Sequence, residues 1–541
     1  MLTRPAAADL LRRLVKGTVW IVLWGTVPAL AQPPPSDPDM PAARWAAEQV
    51  EHHQVADFNR RCGRLDPKRD ADDRWSDPCR TIHPGDLVAL LLGAHVPREG
   101  VRIEGARIDG NLDLTAATIG HEVSIVGSRL DGGISLTRAV LGGRLMLDGT
   151  RIAGLLDGRR LHAQSDLLMR YGGDAKGQIV LVDAKIDGNL DLEGSHFEQP
   201  VKADRLRVAG TLFMNNHAAF DGDVFLHYAT IDGNLEMETS AFAAGLKAEG
   251  LKISHHLFMV NAVFRQPVNI PYAHVSGNVD LSGGAFTGID LSEAAIAQTL
   301  ILQSSFGVAK WSRPGGRPAL LTLRNAHADT VQETIGSWPE RLDLDGFSYA
   351  RLGGYGSTGA ASGRSTEEWI AWLHKSSYAG KHYDPQPYMY LAQMLTAAGD
   401  RDEALALQFA ARQAERAQAW RDRSWGRWAW LSVLRWLCGY GIGTYTFYVV
   451  PWVLGSAVAG FLVLFRARAA RNNGVFWCIG ASLERLLPII ELNKEFGEFF
   501  YDPRRERLAG WQIAFFSAYA LWGWVLGLLL VAAMSGLTQG T

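Results

Sequence analysis

An excess of charge of one sign is the first thing this chain lacks. Lysine and arginine total 54 against 56 aspartates and glutamates. No basic surplus therefore points to nucleic acid. Cysteine is scarce, with four in 541 residues, and no Cys-x-x-Cys or His-Glu-x-x-His occurs, so the common metal and redox spacings are missing. No apolar run before about residue 444 is long enough to span a membrane. The early one, Gly17 to Val27, is short. At this length the chain has room for two to four domains.

That early run follows Arg4, Arg12, Arg13 and Lys16 and precedes Ala29-Leu30-Ala31. A basic start, an apolar stretch and a small-x-small site make a secretory signal over residues 1–31. Cleavage after Ala31 is favoured over a retained anchor because the run is short. Residues 32–96 are expected to form an N-terminal helical cap, with helices around Pro41–Arg60 and Asp86–Leu92. Export would place Cys62 and Cys79 in an oxidising compartment, where they are the candidate disulfide.

Glycine is abundant, with 57 residues, and much of it belongs to a repeat. Ile108-Asp109-Gly110-Asn111-Leu112-Asp113-Leu114 returns at Ile186 and Ile231, and more loosely at Val275. These are copies of an 11-residue unit running from about Val101 to Leu302. With Ile108 as position 1, position 5 reads Leu112, Val123, Ile134, Leu145 and onward, and position 7 reads Leu114, Ile125, Leu136, Leu147. An 11-residue period suits either a right-handed helical coiled coil or a β-solenoid. Positions 5 and 7 are two apart, as in a strand facing a core. Position 3 is often glycine (Gly110, Gly132, Gly188, Gly233), which would cost a helix about 1 kcal/mol at each occurrence. In a solenoid it would serve a corner. The solenoid reading is therefore adopted. Two units make a coil of about 22 residues, giving roughly nine coils at ~4.8 Å spacing and a rod ~45 Å long.

Ala106-x-Ile108-x-Gly110, Ala184-x-Ile186-x-Gly188 and Ala229-x-Ile231-x-Gly233 resemble pentapeptide-repeat proteins, whose fold is a right-handed parallel β-helix. The step here alternates a five-like with a six-like unit, a departure from that family's strict five-residue step, so a square cross-section does not follow from it. The fold expected is mainly β, a right-handed parallel β-helix over 97–350 followed by a helical hairpin and two transmembrane helices.

The remaining boundaries follow from composition. Residues 351–365 are a Gly/Ser linker. Residues 366–443 hold a helical hairpin, built on Tyr388-x-x-Leu391-Ala392 and Ala398-Gly399-Asp400, and a Trp/Arg helix suited to a membrane interface. Spans are expected at 444–465 and 510–537. The arginine-rich 466–509 between them favours a cytoplasmic loop, but the region before the first span is arginine-rich too, and it is the signal peptide that places the rod on the extracytoplasmic side of an inner membrane. The whole order resembles a group of bacterial membrane-anchored β-helix proteins, some labelled membrane-associated oxidoreductases. That resemblance implies no catalytic residue here.

Candidate chemistry is sparse. Gly354-x-Gly356-x-x-Gly359 lacks the strand-turn-helix context of a dinucleotide loop, and Gly439-Tyr440-Gly441 precedes the first span instead of lying between two, as a channel filter would. His255-His256 sits at a corner without a third ligand. Position 6 points outward, and on alternate units it reads Asp191, Phe213, Glu236, Phe258 and Asp280, a row of acids and aromatics suited to a glycan or partner protein. The opposite row reads Lys202, Phe225, Lys247 and Asn269. No cofactor or metal is assigned. The function expected is a non-catalytic, membrane-anchored scaffold or binding module of the cell envelope. An enzyme (redox or polysaccharide-active) and an accessory subunit of a transport complex remain alternatives. The partners implied are the membrane and an envelope protein or glycan.

Overall fold

The structure, a computed structural model, describes residues 40–94, 96–353, 364–376, 383–487, 492–501 and 508–534. The signal region 1–31 and most of the Gly/Ser linker, including Gly354, Gly356 and Gly359, lie outside the described residues.

A parallel β-solenoid of about 12 coils, with about 22 residues per turn, forms the body of the chain. This exceeds the nine coils read from the repeat. The ladder begins in the cap, where Ala56–Asp57 pairs with Ile103–Glu104 and Thr81–Ile82 with Arg107–Ile108. It ends past the recognisable repeat, at Arg341–Asp343 and Ser348–Gly353. Backbone pairing needs only the short strands in register. Extra residues are accommodated at corners, as in the Gln303–Ser304/Gly307–Val308 hairpin, where the sequence period disappears but the coil persists.

Each 11-residue unit holds two short strands, so a coil has four. The second coil shows them as Arg107–Ile108, Leu112–Asp113, Thr118–Ile119 and Val123–Val126, called faces 1 to 4 below. The coil is thus four-sided although its step departs from five residues. Positions 10 and 1 (Ala106, Ile108) and positions 5 and 7 (Leu112, Leu114) all point into one continuous core. On face 1 that core carries an aromatic ladder, Phe197, Phe220, Phe242, Phe264 and Phe286, with consecutive centroids 4.8, 4.8, 4.5 and 5.5 Å apart.

The corner glycines work differently from the expectation. Left-handed backbone falls at position 9, at Ala116, Arg138, Arg160, Asp183, Tyr228 and Thr239 as well as several glycines. The position 3 glycines are instead forced by close stacking. A Cβ on Gly132 would meet the Gly110 carbonyl carbon at 2.5 Å, and one on Gly154 the Gly133 nitrogen at 2.5 Å. The corner beside them is held by side-chain acceptors at position 4. Asn111 accepts the amide of Gly133 at 2.7 Å, and Asn234 that of His256 at 3.2 Å.

Helices α1 (Ala42–Glu51) and α2 (Pro84–Leu91) cover the first coil with Trp45, Ala46, Val50, Leu87 and Leu91. Cys62 and Cys79 are disulfide-bonded there, their Cα atoms 6.0 Å apart.

Helices α3 (Thr366–Ser376), α4 (Gln386–Ala398) and α5 (Arg401–Arg421) close the other end. Trp369, Trp372, Tyr388, Leu391 and Leu407 belong to the same apolar core as the rod. Tyr390 Oη accepts the Tyr349 amide at 3.1 Å and donates to the Tyr349 carbonyl at 2.9 Å. Arg364 pairs with the fully buried Glu333, which also accepts from Trp338 Nε1 at 2.6 Å. The rod and helices are therefore one packed unit across the expected linker.

Helix α6 (Trp425–Cys438) exposes Trp425, Trp430 and Trp436. Gly439-Tyr440-Gly441 is a turn that packs Tyr440 on Phe409. Among the described residues two segments are long and apolar enough to cross a membrane: Gly443–Arg466, which ends in helix α7 (Val449–Arg466), and Gly510–Leu529, within helix α10 (Gly510–Met534). The intervening stretch, expected as a loop, holds α8 (Val475–Leu486) and α9 (Lys494–Tyr501), both packed into the α7/α10 core.

Candidate functional site

The row selected from the sequence is a true register column on face 4. Asp191 pairs with Phe213, Phe213 with Glu236, Glu236 with Phe258, and Phe258 with Asp280. Its exposure is not what alternation alone predicts. Phe213, Glu236 and Phe258 are half-buried, but Asp191 is only 8% and Asp280 7% exposed. The cause is the coil spacing. At ~4.8 Å, outward side chains of adjacent coils lie flat against each other. The short Asp191 is covered between Leu168 and Phe213, and Asp280 between Phe258 and Ile301.

Burial has an electrostatic consequence. Desolvation pushes the Asp191 carboxyl up to about 6, against the Glu193 amide that stabilises its charged form. Arg170 lies 3.7 Å from it but is committed to Asp148 at 2.8 Å. Glu238 is raised by the same desolvation. Glu236 is held by Asn215 and Asn234 side-chain amides, each at 3.1 Å. The face thus presents a column in which Asp191, Glu236 and Asp280 alternate with two half-covered phenylalanines.

The opposite row sits on face 2, with Lys202, Phe225, Lys247 and Asn269 in register. Lys247 lies over the Phe225 ring at 4.8 Å and pairs with Asp223 at 2.7 Å. It is a short cationic and aromatic strip, with Tyr228 and Tyr272 exposed at the adjoining corner.

Face 1 carries a cluster that the linear motifs did not show. Asp174, His196 and Glu198 offer donor atoms within 4.8 Å of one another. Lys176 pairs with Glu198 and lies 3.6 Å from Asp174, Arg151 lies 3.8 Å from Asp174, and His196 Nε2 meets Asp221 at 2.9 Å. With two cations already among the acids, the arrangement is a charge ladder between coils. Arg107–Asp131 at 2.6 Å continues it. The signal in the sequence was charge reversal from coil to coil, which appears only when residues 22 to 25 apart are read together.

The histidine pair is accounted for by the corner. His256 Nδ1 accepts the Asn278 amide at 3.0 Å, so its ring nitrogen serves the position 4 ladder.

No protein-family model matches this chain, and no curated protein or solved structure matches it.

Proposed function

We propose that this chain is a membrane-tethered β-solenoid scaffold of the cell envelope, presenting face 4 to a partner protein or glycan at a fixed position above the bilayer. The observation that carries this reading is the unbroken apolar core from the rod into α3–α5. It joins the solenoid to α3–α5, and Phe409 of α5 packs in turn on Tyr440 and Tyr445 just before α7. The outward residues of α7 and α10, among them Trp452, Leu454, Val458, Leu521, Trp524 and Leu528, are exposed and apolar, which fits lipid contact. The Cys62–Cys79 bond and the basic-apolar N-terminus support an extracytoplasmic rod. The four-sided coil supports kinship with pentapeptide-repeat proteins.

The test is site-specific photo-crosslinking in intact cells from Phe213 and Phe258, with Val263 on face 1 as the control position. A discrete adduct from face 4 alone is expected. Equal or absent adducts at both faces would remove the binding role.

A second reading, a polysaccharide-active rod, draws on the column of Asp191, Glu236 and Asp280 alternating with Phe213 and Phe258, in which desolvation pushes the Asp191 carboxyl up to about 6, the range suited to a general acid. Release of sugar fragments by wild type but not by Asp191→Asn would establish it.

A further inference from the structure

Helix α8 is too short to cross a bilayer, yet it is packed where a third membrane helix would be. Ser482 Oγ donates to the Ala457 carbonyl at 3.0 Å and lies 3.2 Å from Tyr519 Oη, and Tyr519 Oη also donates to the Ser456 carbonyl at 3.0 Å. Ala457 lies roughly nine residues, or ~13 Å, inside Arg466, close to half of a ~30 Å apolar layer. The end of α8 goes further. Gly523, well inside α10, has no room for a Cβ, which would fall 1.8 Å from the Leu486 carbonyl oxygen, and Gly460 is likewise closed by Ser482 Oγ at 2.3 Å. The start of α8 stays at the Arg466 end, where Cys478 Sγ contacts the Ala470 carbonyl at 3.4 Å.

The return is also recorded. Glu484 accepts the amides of Leu492 and Asn493 at 2.8 and 2.9 Å. Helix α9 then runs back along α8, with Phe496 and Phe499 against the Trp477 ring at 5.3 and 4.9 Å. Arg485 reaches outward over Phe500, as a cation does when its backbone is deep. We propose that α8 and α9 form a re-entrant helical hairpin that enters the membrane from the Arg466 side and leaves on the same side.

The charges fit that path: Lys494, Glu495 and Glu498 are exposed on α9 while Phe496 and Phe499 are buried, and the contact with Trp477 sets α9 back toward the Arg466 end, where ionised groups meet water.

The proposal rests on reading α7 and α10 as spans, so the experiment separates the two. In full-length protein with Cys438→Ala and Cys478→Ala, single cysteines are placed at Asn472 and Asn493 and probed in sealed vesicles. Alkaline carbonate extraction reads the spans, and release of the chain would overturn the membrane reading itself. With the chain retained, Asn493→Cys is expected to react with an impermeant maleimide at least tenfold more slowly than Asn472→Cys. Adding Gly523→Leu should bring labelling at residue 493 up to that at residue 472. Equal labelling without that change would overturn the re-entrant hairpin.

Discussion

Asn189 Oδ1 accepts the backbone amide of Thr211 at 2.8 Å, one coil away. The same relationship links Asp166 to Asn189 at 2.8 Å and Asn278 to Thr299 at 3.1 Å. Corner amides turn away from the strand ladder and need an acceptor, which position 4 supplies. Asn189→Leu is expected to lower stability by about 1–2 kcal/mol, read as a lower thermal midpoint. Asn189→Asp keeps the acceptor, as Asp166 does, and should be nearly neutral.

Phe242 is stacked on both sides, against Phe220 at 4.8 Å and Phe264 at 4.5 Å. Phe242→Ala should cost about 3–5 kcal/mol through the cavity it leaves. Proteolysis is expected to open first at the coils containing Phe220 to Phe264, because each coil is supported only by its neighbours. Phe242→Leu should recover most of the loss.

The two kinds of corner predict opposite effects. Ala116 has φ of 55° and is exposed, so Ala116→Gly should stabilise by about 0.5–1 kcal/mol by relieving left-handed strain. Gly154→Ala should destabilise by about 1–3 kcal/mol because the new methyl has no space. Paired thermal melts check both signs.

Asp191 links stability to pH. Its folded carboxyl titrates at about 6 against an ordinary value of 3.8, so between those values the folded state holds more proton than the unfolded. Stability from this group is therefore full below about pH 4, declines as pH rises through 6, and stays reduced above. Asp191→Asn should flatten that decline and raise the midpoint at pH 7.5 relative to wild type. A steeper decline in the variant would refute the assignment.

Arg364 joins the helices to the rod through Glu333, whose side chain is 0% exposed. Arg364→Met leaves that carboxylate buried without its cation and is expected to cost about 3–5 kcal/mol. The loss should appear as early release of α3 from the rod end, measured by hydrogen exchange at Trp369 and Trp372. Arg364→Met combined with Glu333→Leu should recover much of it.

The solenoid was legible because positions 5 and 7 repeat aliphatic residues such as Leu112 and Leu114. The Phe197–Phe286 stack emerged only from the structure, although its residues occupy position 1 at the coil period. The left-handed corner was not legible. Position 9 holds Ala116, Arg138, Asp183 and Thr239, no shared residue type, because its conformation is imposed by coil closure. The Asp191–Asp280 row was legible in register but not in exposure, since neighbours Leu168 and Phe213 determine what covers Asp191. Helix α8 escaped notice because 12 residues fall short of a span and sit among arginines.

By itself, the sequence determined the coil period, the inward columns and the two long apolar segments, since each depends on spacing and hydrophobicity along the chain. Tertiary structure alone decided which side chains from neighbouring coils cover one another, where the backbone turns left-handed, and how Leu486 comes against Gly523. Those are relations between residues 20 or more positions apart, set by how closely backbones approach, and no local pattern encodes that distance.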